Sequence, residues 1–256
     1  MIGTLLRWLG WRSPVRIPPL LWRATLARYD FLRGLDTDEQ AALKTLSEQF
    51  LAEKEIAGAH GFEITDAVCV AIAAQACLPI LHLGLGAYCD WVGVVVYPGE
   101  FVVPRRIEDD DGVVHEFDDV LAGEAWSGGP VVLSWHDTAS AGGDYNVVIH
   151  EFAHKLDMQN GDADGVPALP HDIPRAVWEN VFFRAYDNFC QRVDNGEETR
   201  LDPYAAEEPA EFFAVVSEAF FGAPALVADD YPALYALLMR YYRQDPRLRF
   251  RAETRV

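Results

Sequence analysis

One pentapeptide stands out for the chemistry its spacing allows: His150-Glu151-Phe152-Ala153-His154. In an α-helix, positions i and i+4 lie on one face, so both imidazoles can meet the same metal ion. The intervening Glu sits beside them, close enough to hold a water without ligating. For a chain with this His and acidic content, chance supplies only about 0.03 such matches. Zinc needs a third protein ligand and an open position for water. A metzincin would place Gly three and His six residues after the second His. Those positions are Asp157 and Asn160, so that route fails. A carboxylate from a later helix is the alternative, and Glu207 to Ser217-Glu218 is the candidate segment. Pro209 suits a first helical position, which puts Glu211 in the first turn. Glu218, two turns further on, is either the ligand itself or an outer support for His150 or His154. Both assignments stay open on spacing alone.

The elements that must position these groups are readable from periodicity. Gly142-Gly143-Asp144 offers a helix start with Asp144 as N-cap. Val147, Val148, Ile149, Phe152, Ala153 and Leu156 supply a face to bury, and Asn160-Gly161 a stop. The motif helix is therefore expected over 144–159. Further helices are expected from Thr37, with Leu43, Leu46, Phe50 and Leu51 at helical spacing, and over 65–78, 173–193, 209–221 and 231–242. Strands are expected at 91–97 and at 131–135, the latter bounded by Gly128-Gly129-Pro130. Glu108–Asp111 and Glu116–Asp119 mark an acidic loop or hairpin. Strands in the middle and helices at both ends indicate α+β rather than alternating βαβ units. An edge strand beside a site of this kind can pair with an extended substrate. The segment 131–135 is a candidate for that role, against the alternative of a fully paired internal strand.

Composition sets the outer bounds. The 256 residues are 50% hydrophobic, which excludes disorder as the default, and carry a formal charge of -19, which disfavours direct nucleic-acid binding. The charge is uneven: residues 1–35 carry six Arg against Asp30 alone, and residues 240–256 six Arg against Asp245 and Glu253. Those ends either lie against the acidic body or recognise an acidic partner. Cys69, Cys77, Cys89 and Cys190 form no CxxC and read as buried reduced thiols of a cytoplasmic protein. The uncharged stretch 67–89 has the length of a membrane span. Gln75, Pro79, His82, Gly84 and Gly86 break it, and a core helix followed by a turn is expected instead. Arg7 and Arg12 interrupt the start before a signal-peptide core accumulates. His60, His82, His115, His136 and His171 are expected to be ordinary histidines, His136 being nearest the motif.

Longer segments carry a family resemblance. HEFAHKLD at 150–157, NGDADGVP at 160–167 and DPYAAEEPAEFFAVVSEAFF at 202–221 resemble the Mlc titration factor A family of gluzincin-type zinc metallopeptidases. LPILHLGL at 78–85, VVVYPGEFVV at 94–103 and GGPVVLSWHD at 128–137 extend the likeness over most of the chain. The C-terminal part also resembles the catalytic domain of anthrax lethal factor, where HEFGH is followed by a ligand Glu in an AEFFA segment. The resemblance implies His150, His154 and Glu211 as ligands of one Zn²⁺ per chain, Glu151 as general base and Tyr204 as a catalytic group. Without it, Tyr204 reads as a surface tyrosine in a turn after Pro203. Asp157 is either a support for a zinc imidazole or a plain helix-end carboxylate.

The implied architecture is a zincin-like α+β metallopeptidase with a small mixed sheet, an HExxH active-site helix and a largely helical C-terminal half. Its expected organisation is an arm over 1–20, one compact domain over 21–245 (mostly helical to 90, catalytic from 91) and a basic tail over 246–256. The implied function is aminopeptidase-like peptide hydrolysis, linked to regulation of glucose phosphotransferase expression through an Mlc-like repressor. The rival expectation is a regulatory protein that sequesters such a repressor without catalysis. A purely structural zinc site would need neither a base nor an open position. A monomer is expected, with no membrane and no nucleic acid among its partners.

Overall fold

The computed structural model describes residues 15–108 and 114–253. The first 14 residues of the expected arm, 109–113 of the acidic segment and the last three of the basic tail lie outside it. Helix α1 (Pro19–Arg28) begins inside the stretch read as an arm, and Ile17 ahead of it is buried. After α2 (Asp30–Arg33) comes α3 (Thr37–Glu53). A capping box starts α3: Asp36 accepts from the Asp38 and Glu39 amides while Glu39 reaches back to the Asp36 amide. Strand β1 (Glu55–Gly58) leads into α4 (Asp66–Cys77), capped by Thr65 and buried over most of its surface. Among the described residues no single helix is long and apolar enough to cross a membrane.

Strand β2 (Gly93–Tyr97) follows. A hairpin of β3 (Phe101–Glu108) and β4 (Val114–Leu121) takes up the acidic segment, and β5 (Gly123–Ala125) and β6 (Val131–Ser134) come next. The four-stranded sheet runs β1-β2-β6-β5, parallel across β1, β2 and β6 and antiparallel between β6 and β5. One expectation needs correction: β1–α4–β2 is a βαβ unit, so one alternation does exist in this mixed α+β fold. Of the two readings of 131–135 the internal strand holds: all four residues of β6 are buried, and the sheet's edges are β1 and β5.

Past a short α5 (Trp135–Ser140), the motif helix α6 spans Val147–Asp157. Its N-cap is Asn146, not Asp144: the Asn146 side chain accepts from the Ile149 amide at 3.0 Å, while Asp144 is exposed. The C-terminal half holds α7 (Arg175–Asp194), α8 (Pro209–Gly222), α9 (Pro224–Asp230), α10 (Pro232–Tyr242) and α11 (Arg247–Glu253). The core wraps α6 and α8. Phe152 stacks edge-on against Tyr88 and Trp91, and Phe212 and Phe213 meet Trp178 and Phe182. The two helices are also tied at their ends. Gly222 closes α8 so tightly against the Gly143 carbonyl that a side chain there has no room.

Both basic ends meet the acidic body where they are described. Arg16 pairs with Glu48 at 3.1 Å and Arg249 with Glu39 at 2.8 Å, the latter guanidinium buried and also bonded to Gln244. All four cysteines are free thiols. Only Cys77 is fully buried, however, and Cys89 is exposed.

Candidate metal centre

Helix α6 presents His150 and His154 on one face, and the first turn of α8 brings Glu211 across to them. His150 Nε2 lies 2.9 Å from Glu211 Oε2, His154 Nε2 lies 3.4 Å from Glu211 Oε1, and the two Nε2 atoms are 3.2 Å apart. Ligand bonds of 2.0–2.1 Å in a tetrahedral site put neighbouring donor atoms about 3.3 Å apart. The two imidazole nitrogens meet that value, while each faces a different oxygen of Glu211; one donor atom from each of the three residues lies within 4.8 Å of the others.

Glu218, two turns along α8, faces the other side of the same ring. Its Oε1 is 2.7 Å from His150 Nδ1, and its second oxygen accepts from the Asn146 amide. With Nδ1–H donating to Glu218, the Nε2 lone pair of His150 points at a carboxylate and at a second imidazole nitrogen. Such a cluster of lone pairs needs a shared electrophilic centre. A proton can supply it. Burial opposes a charged ring, yet Glu211 and Glu218 together hold His150 well above its ordinary value. Burial likewise works against ionised Glu211, but the bonds from His150 and His154 outweigh it and keep the carboxyl far below the usual range. A divalent metal can supply the charge equally well, and two imidazoles plus one carboxylate are a borderline donor set that suits it. The residues present therefore fit a metal ion.

Glu151 lies on the same helix, 5% exposed, and accepts no hydrogen bond among the described residues. Burial pushes its carboxyl up to about 7, although His150 and His154 pull the other way. Strand β5 closes on it from the sheet side. A Cβ on Gly123 would sit 2.6 Å from Glu151 Cγ and 2.7 Å from Val147 Cγ2. Ser134 N donates to Ala122 O and Trp126 N to Pro130 O. By the alternation of an antiparallel ladder, Gly123 and Ala125 therefore turn their own amides and carbonyls to the open edge. That edge borders a cavity of about 710 Å³, whose lining includes Gly123, His150, Glu151, Tyr204, Leu201 and Val215.

Tyr204 stands in a one-turn 3₁₀ segment, Pro203–Ala206, started by Asp202 accepting from the Tyr204 amide at 2.9 Å. The residue is 43% exposed, and its ring is centred 6.3 Å from that of His150. Asp157 is fully buried at the end of α6. Its Oδ2 accepts from the Gly165 amide at 2.8 Å, while Oδ1 and the Nδ1 of His154 have no partner among the described residues. Burial raises the Asp157 carboxyl to about 7. His136, nearest the motif in sequence, is exposed beside Asp137 and takes no part in the cluster, nor do His60, His82 or His171. Spacing did not point to Gly123. Its signal is one glycine in a three-residue strand, and only the pairing of β5 with β6 explains it.

A mixed α+β chain with a His-His-Glu cluster at an open cavity has the makings of a metallopeptidase. The comparisons with known proteins agree. The chain belongs to the glucose-regulated metallo-peptidase M90 family, whose model matches residues 7–243. It is 40% identical over 256 residues to Mlc titration factor A of Cronobacter sakazakii, spanning 96% of this chain and 95% of that one. The protein of the same name from Escherichia fergusonii is 41% identical over 251 residues, covering 95% and 93%. That from Salmonella gallinarum is 43% identical over 237 residues, covering 90% and 88%.

Proposed function

We propose that this chain is a zinc-dependent peptidase that cleaves peptide bonds in an aminopeptidase-like way. His150, His154 and Glu211 would hold the ion. The observation that carries this is the gathering of donor atoms from His150, His154 and Glu211 within 4.8 Å of one another, beside a cavity that His150 and Glu151 line. When bound, zinc supplies Lewis acidity toward a carbonyl oxygen and a water molecule. Glu151, buried and without a hydrogen-bond partner among the described residues, is suited to take the proton of an attacking water and pass it to the departing amine. The Tyr204 hydroxyl is suited to donate to the oxyanion that develops on the substrate carbonyl. Glu218 holds His150 in the tautomer that leaves Nε2 free. The outward-facing amides of Gly123 and Ala125 would take the substrate main chain as an added strand. This transfers to β5 the role first considered for 131–135.

The relatives' name supports a second activity, binding of an Mlc-like repressor, which the family resemblance would tie to regulation of glucose phosphotransferase expression. Glu151→Gln separates the two. The variant should keep metal and lose hydrolysis, so repressor capture by it would be independent of chemistry. The primary test is metal analysis with hydrolysis of a chromogenic amino-acid and peptide panel, with and without chelator. One zinc per chain and chelator-sensitive cleavage are expected. Full turnover by metal-free protein would remove the peptidase assignment.

A further inference from the structure

One buried charge on α6 has no part in the metal cluster. Lys155 follows His154 directly and is 4% exposed. A buried ammonium is costly unless its hydrogens find acceptors. Its Nζ donates to Trp126 O at 2.5 Å and to Gly129 O at 2.9 Å, and it stands 5.0 Å from the centre of the Trp91 ring. Both carbonyls belong to the turn that joins β5 to β6. That turn is also folded on itself: Gly129 N donates to Trp126 O at 3.0 Å, and Gly128 supplies a positive φ of 62°. The ammonium thus bridges two carbonyls of one turn and ties that turn to α6.

Spacing along α6 gives this contact its meaning. Glu151 and Lys155 are four residues apart and share one face of the helix, as His150 and His154 share the next. The His row meets α8, and the Glu151–Lys155 row meets β5 and its turn. Gly123, the first residue of β5, packs against Glu151, and Trp126, the residue after its last, is held by Lys155. β5 has three residues and β6 as its one ladder partner among the described residues. A strand so short, paired on one side, is weakly held by its ladder alone. We infer that Lys155 is a positioning residue: it fixes the far end of β5 to α6 and so sets where the open edge of β5 lays an extended peptide relative to Glu151. The inference rests on the proposal that β5 takes substrate as an added strand. From Gly123 to Trp126 the chain advances about 10 Å, at about 3.3 Å per residue. A peptide that follows β5 to that end lies along the whole strand, whereas a single amino-acid anilide reaches little beyond the reacting bond. Lys155 therefore matters more to the first kind of substrate than to the second.

Lys155→Met keeps the length of the side chain and removes its donors; Lys155→Arg keeps the charge. Both are compared with wild type as full zinc-loaded chains, on a dye-labelled hexapeptide and on a single amino-acid anilide. In Lys155→Met the hexapeptide KM should rise, so that the hexapeptide-to-anilide ratio of kcat/KM falls about tenfold. Hydrogen exchange at the Gly129 amide should quicken about tenfold, with zinc content kept. Lys155→Arg should recover most of the ratio. Equal losses on the two substrates would reduce Lys155 to general stability and overturn the inference, as would wild-type exchange at Gly129. The wild type gives a reading that no folding failure can spoil: NMR couplings through the hydrogen bonds should link Lys155 Nζ to the Trp126 and Gly129 carbonyl carbons. Their absence would overturn the inference too. If the wild type hydrolyses neither substrate, the peptidase reading falls by itself. Hexapeptide affinity, expected about tenfold weaker in Lys155→Met, then decides the role of Lys155 together with the exchange data.

Discussion

Gly123→Ala is the most discriminating single change. The new methyl would stand 2.6 Å from Glu151 Cγ and 2.7 Å from Val147 Cγ2. Comfortable carbon–carbon contact is about 3.5–4.0 Å, so something must give by roughly 1 Å. β5 is held by β6, through Gly123 opposite Leu133 and Ala125 opposite Val131, and α6 by its Asn146 cap. The Glu151 side chain is the softest of these parts, with no hydrogen bond among the described residues to restrain it. Moving a general base by about 1 Å costs on the order of 100-fold in rate, or about 2.7 kcal/mol of barrier. Overpacking should also cost about 1–3 kcal/mol of stability. The methyl's close contacts are with Glu151 and Val147, not with His150, His154 or Glu211. The expected variant is therefore folded, fully metallated and slow, with the loss in kcat. Steady-state kinetics on a chromogenic peptide, metal content and thermal melting measure the three quantities. Turnover within threefold of wild type would refute the argument that β5 sets the position of Glu151. Loss of metal would refute the claim that it acts on the base alone.

Two further outcomes follow from the same geometry. Glu218→Gln removes the charged acceptor at His150 Nδ1, 2.7 Å away, and should weaken metal binding about 10–100-fold in a chelator competition; unchanged affinity would count against the Glu218 contact. Glu151→Gln should stabilise the metal-free chain in a pH-dependent way. Burial raises the Glu151 carboxyl from 4.5 to about 7, so the folded state holds the extra proton between those values and wild-type stability falls as pH rises through them. The variant's advantage should be near zero at pH about 4 and reach about 3 kcal/mol at pH about 8 by that linkage. Denaturant melts of both proteins in chelator measure it, and an advantage that is greatest in acid would have the sign wrong.

Local and long-range information divide cleanly in this chain. The motif helix is legible because one helical turn brings residues four apart together, and because Val148, Ile149, Phe152 and Leu156 mark the face that must be buried. Spacing favours Glu211 but leaves Glu218 open beside it for a physical reason. Seven residues is close to two full turns, so both carboxylates share a face of α8 and both reach His150. One meets Nε2 and the other Nδ1, so ligand and support are two ends of one imidazole rather than rival answers. The start of α6 was misplaced because Asp144 and Asn146 are both good caps. Gly142 and Tyr145 bridge each other, which carries the chain on past Asp144 before the helix can begin. β1 and β5 left almost no local trace. β1 is four residues without a buried position, β5 three residues of intermediate exposure, and each is a strand only because its neighbour is one. The free edge and the close approach of Gly123 to Glu151 depend on which strands pair across the sheet. A periodic pattern within one segment does not encode that, so the donor atoms were legible in the sequence while the surface that would present a substrate to them was not.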